Sequence, residues 1–125
     1  MSTLQVGTIK SSNSEPPVIQ NSSGVEKAKI SIRSFVNFNA QSSNAIRDSF
    51  NVSSIGDNGT GNFTINFSNS MANANYQVYA KANIGNDFSF SGGHNIATGS
   101  FTLVTRQTRT SNSADFSETA CFVIS

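Results

Sequence analysis

Along most of the chain apolar and polar residues alternate with a period of two, the repeat of a strand buried on one face. Phe63, Ile65 and Phe67 alternate with Thr64 and Asn66. Tyr76, Val78 and Ala80 alternate with Gln77, Tyr79 and Lys81, which puts Tyr76 and Tyr79 on opposite faces and Tyr79 on the polar one. Phe101, Leu103 and Thr105 alternate with Thr102 and Val104, and Phe88 and Phe90 flank Ser89. Ile30, Ile32, Phe35, Val36 and Phe38 predict a first strand with an irregularity at Ser34. Ala45 to Phe50 and Val52 to Ile55 predict two shorter pieces, and Cys121 to Ile124 a closing strand with a buried thiol. No segment sustains the 3.6-residue apolar period of a helix.

Turn signals punctuate these runs at Asn58-Gly59, Asn69-Ser70, Gly85-Asn86, Ser91-Gly92-Gly93, Gly99 and Ser111-Asn112-Ser113. They recur roughly every ten residues, the spacing of an all-β antiparallel sandwich or jelly-roll-like head. Asn58-Gly59 predicts a hairpin turn with positive φ at both residues.

The first 28 residues read differently from residues 29–125. Leu4, Val6 and Ile9 can form one short strand, with Val18 and Ile19 as further apolar contacts. Pro16 and Pro17 favour extended backbone and remove two hydrogen-bond donors. So few apolar groups cannot nucleate a core, so this segment is expected to be an extended N-terminal arm that lies against a partner. Fully extended it reaches at most ~90 Å, enough to find a neighbouring subunit. The remaining residues form the head.

Charge changes the picture further. Asp, Glu, Lys and Arg make up only 12% of the chain and the net charge is +1, with no basic run. That lacks the electrostatic footprint of a nucleic-acid binder. Solubility rests on 22 Ser, 16 Asn and 10 Thr, while ten Phe and no Trp supply the bulky apolar groups. Such a neutral surface suits a protein packed into an assembly, because interface centres are depleted in charge. Neither an apolar leader in the first 25 residues nor a run of ~20 apolar residues is present, so neither secretion nor membrane insertion is expected.

Candidate chemistry is sparse. His94 is the only histidine and Cys121 the only cysteine, which leaves no His/Cys metal cluster. His94 follows Gly92-Gly93, and a solvated loop histidine outweighs a catalytic one. Of seven acids, Asp115 and Glu118 are the pair most able to sit close. In a chain this short, that falls below what a two-carboxylate hydrolase requires. Gly56-Asp57-Asn58-Gly59-Thr60-Gly61-Asn62 lacks the Lys and the following helix of a phosphate loop, and it is a single copy rather than a stacked calcium repeat. No catalytic residue, metal or cofactor is expected. Tyr79 and His94 are the candidates for surface recognition.

Three runs carry a resemblance: Phe35-Val36-Asn37-Phe38-Asn39, Ala45-Ile46-Arg47-Asp48-Ser49-Phe50-Asn51-Val52-Ser53-Ser54-Ile55, and Asp57 through Phe67. Together they resemble a module near the ends of tail-fibre and other virion proteins of marine, cyanophage-like bacteriophages. Ser2-Thr3-Leu4-Gln5-Val6-Gly7-Thr8-Ile9 is similar to the openings of such proteins, and Pro16 to Gly24 to their linker. The likeness spans most of residues 1–80, is specific over 35–67 and fades after Ala80. Gly56 and Asn62 depart from the pattern, where the family has Thr and Asp. The resemblance implies a virion structural protein with a β-sandwich head, assembled as a homotrimer with other virion proteins, in a tail fibre, tail knob, or capsid decoration or spike. It transfers no catalytic residue. The alternative is a receptor-binding module that grips host surface glycan through its loops.

Overall fold

The computed structural model describes residues 5–8, 10, 23, 32–84 and 87–125. The chain divides into two units, Met1–Ser31 and Ile32–Ser125. In the first, Leu4, Ile9, Val18 and Ile19 lie outside the described residues, and Val6 is 48% exposed.

The second unit is an all-β antiparallel sandwich. Its strands are β1 (Ile32–Asn39), β2 (Ala45–Phe50), β3 (Val52–Asp57), β4 (Asn62–Phe67), β5 (Gln77–Ile84), β6 (Asp87–His94), β7 (Ser100–Gln107) and β8 (Glu118–Ile124). They are hydrogen-bonded in the order β2-β1-β8-β5-β6-β7-β4-β3. The first four of that order form one sheet and the last four the other. The two sheets meet at the β5–β6 hairpin, where Asn83 pairs with Phe88 and Ile84 with Asp87.

The outermost strands, β2 and β3, are consecutive in the chain, and Asn51 alone joins them. Its φ of +53° turns the chain from one sheet into the other. Asn tolerates this conformation because its short side chain bonds locally. Here Nδ2 donates to Arg33 O and Asn69 O, and Oδ1 accepts from Asn69 N at 2.7 Å.

The alternating runs meet between the sheets. Phe63, Ile65, Phe67, Phe101 and Leu103 enter from the second sheet, and Val36, Phe38, Ala82, Cys121 and Val123 from the first; all are buried. Phe38 and Phe63 cross the gap edge-to-face, 5.3 Å apart at 77°. Each Phe, Ile, Leu or Val side chain so buried contributes roughly 1.5–3 kcal/mol. Tyr76 closes one end of this core, its hydroxyl donating to Ala97 O at 2.7 Å. Thr105 is fully buried because its hydroxyl donates to Ala114 O at 2.6 Å. The irregularity expected at Ser34 appears as a register shift between Ile32 and Ser34 against β8. The alternation expected at Phe88 and Phe90 falls on side chains outside those described.

Two turns differ from expectation. Ser91-Gly92-Gly93 lies inside β6, paired with Thr105, Val104 and Leu103, and the chain reverses after His94 instead. Gly93 serves close approach rather than a turn, since a Cβ there would stand 2.8 Å from Val78 Cβ. In the β3–β4 hairpin the positive φ values fall on Gly59 (+112°) and Gly61 (+66°), not on Asn58.

Candidate functional site: an aromatic row on the first sheet

Residues directly opposite in paired strands share a face. Phe35 pairs with Phe50 of β2 and with Phe122 of β8, and Phe122 pairs with Tyr79 of β5. The four aromatics therefore form one row across the sheet, at right angles to its strands. It is the outer face, because the alternate residues Val36, Cys121 and Val123 are the buried ones. Phe50 is 53% exposed, Tyr79 51% and Phe122 40%, with Phe35 half-buried between them. Phe35 and Phe50 rings lie 6.3 Å apart, and Tyr79 stacks on Phe122 at 5.4 Å, 13° from parallel.

The flanks differ in chemistry. Towards one strand end, Ile124 pairs with Ile32 and with Gln77, and Ile32 is 58% exposed, which extends the apolar surface. On the other side Asn37, Arg47, Lys81, Glu118 and Ala120 line a shallow depression of about 330 Å³. Arg47 joins it through a bulge, because the register shifts between Asn37 and Phe38, leaving Arg47 as the extra residue of β2.

The second sheet is built oppositely. Its strands alternate the buried phenylalanines with Thr64, Asn66 and Thr102. These polar residues bond to the neighbouring strand and turn: Asn66 Nδ2 donates to Ser54 Oγ at 3.1 Å, and Asn58 Nδ2 to Thr64 Oγ1 at 2.8 Å.

Of the residues singled out from sequence, Tyr79 lies in the aromatic row. His94 is exposed but ends β6 opposite Thr102, on the other sheet, so the two are not brought together. Asp115 and Glu118 are drawn to separate tasks. The Asp115 carboxylate accepts the Gly61 N–H at 2.7 Å, while Glu118 lines the depression on the first sheet. Cys121 is buried, and desolvation pushes its thiol pKa from 9.0 up to about 12. Among the described residues no three His, Cys, Asp or Glu side chains group as metal ligands, and no helix is long and apolar enough to cross a membrane.

The row itself escaped sequence reading at three of its four members. Phe35 and Phe122 each stand beside a valine, Phe50 stands between Ser49 and Asn51, and Tyr79 stands between Val78 and Ala80 with Gln77 and Lys81 on its own face. The available signal was the unbroken run Cys121-Phe122-Val123-Ile124. A strand apolar at every position is covered on both faces. Comparison of the chain with protein-family models, with curated proteins and with solved structures finds no match.

Proposed function

We propose that this chain is a non-enzymatic structural component of a bacteriophage particle. Residues 1–28 anchor it to other virion proteins, and the β-sandwich head is displayed and packed against further copies. The observation that carries this reading is the aromatic row on an otherwise neutral, Ser/Thr/Asn-covered sandwich. One face is built for lasting contact with protein, and the opposite face for water. The resemblance over residues 35–67 supplies the virion context and the number three for the homo-oligomer.

A tail fibre, a tail knob and a capsid decoration or spike are all compatible with such a part. An arm with β-capable residues and two prolines is suited to adding a strand to a neighbour's open sheet edge. Deleting residues 2–24 should therefore leave a folded head that no longer joins particles. Incorporation of the truncated protein at normal copy number would place the anchor elsewhere.

A second reading, a module for host surface glycan, is favoured by the hydrogen-bonding side chains Asn37, Arg47, Lys81 and Glu118 grouped beside Tyr79. Specific retention of the head on a glycan array would select it over the first.

A further inference from the structure

We infer that the aromatic row of the first sheet, Phe50, Phe35, Phe122 and Tyr79, is the surface through which copies of this chain pack against one another. This deepens the assembly proposed above and rests on it.

Area supports the assignment first. At roughly 200 Å² per aromatic side chain, the exposures of Phe50, Tyr79 and Phe122 leave roughly 300 Å² of ring surface in water. Ile32, Phe35 and Ile124 add to it in one contiguous patch. A standard interface takes about 800 Å² from each partner, a little over half of it apolar. The patch therefore supplies most of the apolar centre of one such interface, and Asn37, Gln77, Arg47 and Lys81 supply a polar rim.

Charge supports a second copy as the occupant. The rim carries Arg47 and Lys81 together with Asp48 and Glu118, two charges of each sign. Among the described residues Arg47, Lys81 and Glu118 form no ion pair. A partner that answers both signs at one edge of an apolar patch is the same surface presented again. In an assembly of identical chains each basic residue can meet an acidic one of the neighbour.

Ring geometry weighs against a sugar. A pyranose stacks on an open ring face. Tyr79 and Phe122 instead lie nearly parallel, 13° apart with centroids at 5.4 Å, so each turns one ring face to the other rather than to a ligand. A second set of aromatic rings can still meet such a pair in tilted or edge-to-face packing.

The test is the oligomeric state of the full-length protein, followed by sedimentation velocity across a dilution series. Tyr79→Thr and Phe122→Thr each remove a ring from the row and keep a side chain that a strand accepts. Thr102→Asn changes the outer face of the second sheet and serves as control. Wild type and Thr102→Asn should share one association constant. Each row variant should weaken it at least ~30-fold, the loss expected for a central aromatic anchor, while circular dichroism stays that of the folded wild type. High salt should change association little, because exposed rim pairs contribute little.

Row variants that assemble like wild type would overturn the inference and leave the structural reading standing. So would loss of assembly in Thr102→Asn alone. A wild type that stays monomeric at every concentration yet still joins particles would also overturn it. Failure of the protein to appear in particles at all would sink the structural reading instead, whatever the association constant.

Discussion

Replacing Gly61 by Ala should remove a large share of this small domain's stability, although it adds one methyl group. Gly61 has φ +66°, a conformation that costs an L-residue roughly 1–2 kcal/mol. The added Cβ would stand 2.4 Å from Thr105 O, 2.7 Å from Ala114 N and 3.0 Å from Ala114 O. All three are backbone atoms, so no rotamer change relieves the clash. The hairpin would have to move away from β7 and the β7–β8 connection, giving up two hydrogen bonds. These run from Gly61 N to Asp115 Oδ1 at 2.7 Å and from Thr105 N to Gly61 O at 2.9 Å. At about 1 kcal/mol net for each bond, with the backbone strain, the loss is roughly 3–4 kcal/mol. A domain of this size has about 5–15 kcal/mol in total. Gly59→Ala is the internal control. It has φ +112° but no atom within 4 Å of an added Cβ, so it carries strain alone, roughly 1–3 kcal/mol. Urea unfolding followed by circular dichroism, at one protein concentration, measures both. A Gly61→Ala loss no larger than that of Gly59→Ala would refute the argument that close packing, rather than turn geometry, selects glycine there.

Two further outcomes follow from the core. Phe63→Ala should cost ~3–5 kcal/mol because the ring is fully buried against Phe38, whereas Thr64→Ala on the other face should stay below about 1 kcal/mol; chemical denaturation ranks them, and equal losses would mean the strand faces are misassigned. Cys121 should resist a thiol reagent at neutral pH until the protein is unfolded. Because burial raises its pKa in the folded state from 9.0 to about 12, the unfolded chain releases the proton first. Its contribution is therefore whole below pH 9.0 and is lost between 9.0 and about 12. The stability difference between wild type and Cys121→Ala, measured against pH, should fall through that window, and a flat difference would show that the thiol is not desolvated.

Local pattern was enough for the strands and much of the core. Period-two alternation marked β4 and β7 because their outer face is polar, so one residue in two announces its side. The Gly92-Gly93 turn failed for a physical reason that the dipeptide conceals. Glycine allows reversal, but it also allows close approach, and only the fold reveals Val78 standing where a Cβ would go. In the neighbouring reversal the positive φ falls on Asn95, at +50°, and not on Gly99. The same ambiguity moved the positive φ from Asn58 to Gly61. Asp115, which holds the Gly61 N–H from 54 positions away, carries no local sign of that role.

The aromatic row was illegible for a deeper reason. Alternation establishes that neighbours point to opposite faces, but it names the buried face only when the other one is polar. In Phe35-Val36 and in Phe122-Val123 both faces are apolar, so the choice rests on register, which long-range pairing sets. That pairing joins β1 to β8 and β8 to β5, strands far apart in the chain, and nothing in either segment states which residue will lie opposite which. Tyr79 was assigned correctly to the surface because Val78 and Ala80 are apolar beside it while Gln77 and Lys81 share its face. Its ring partner Phe122 has no polar residue beside it. A strand apolar on both faces implies a second cover for its outer side, and in this sandwich the second sheet already occupies the inner one. The demand for that cover is itself encoded in Cys121-Phe122-Val123-Ile124. On the inference drawn above a second copy of the chain meets it, and measuring association, rather than stability, decides the role of this face.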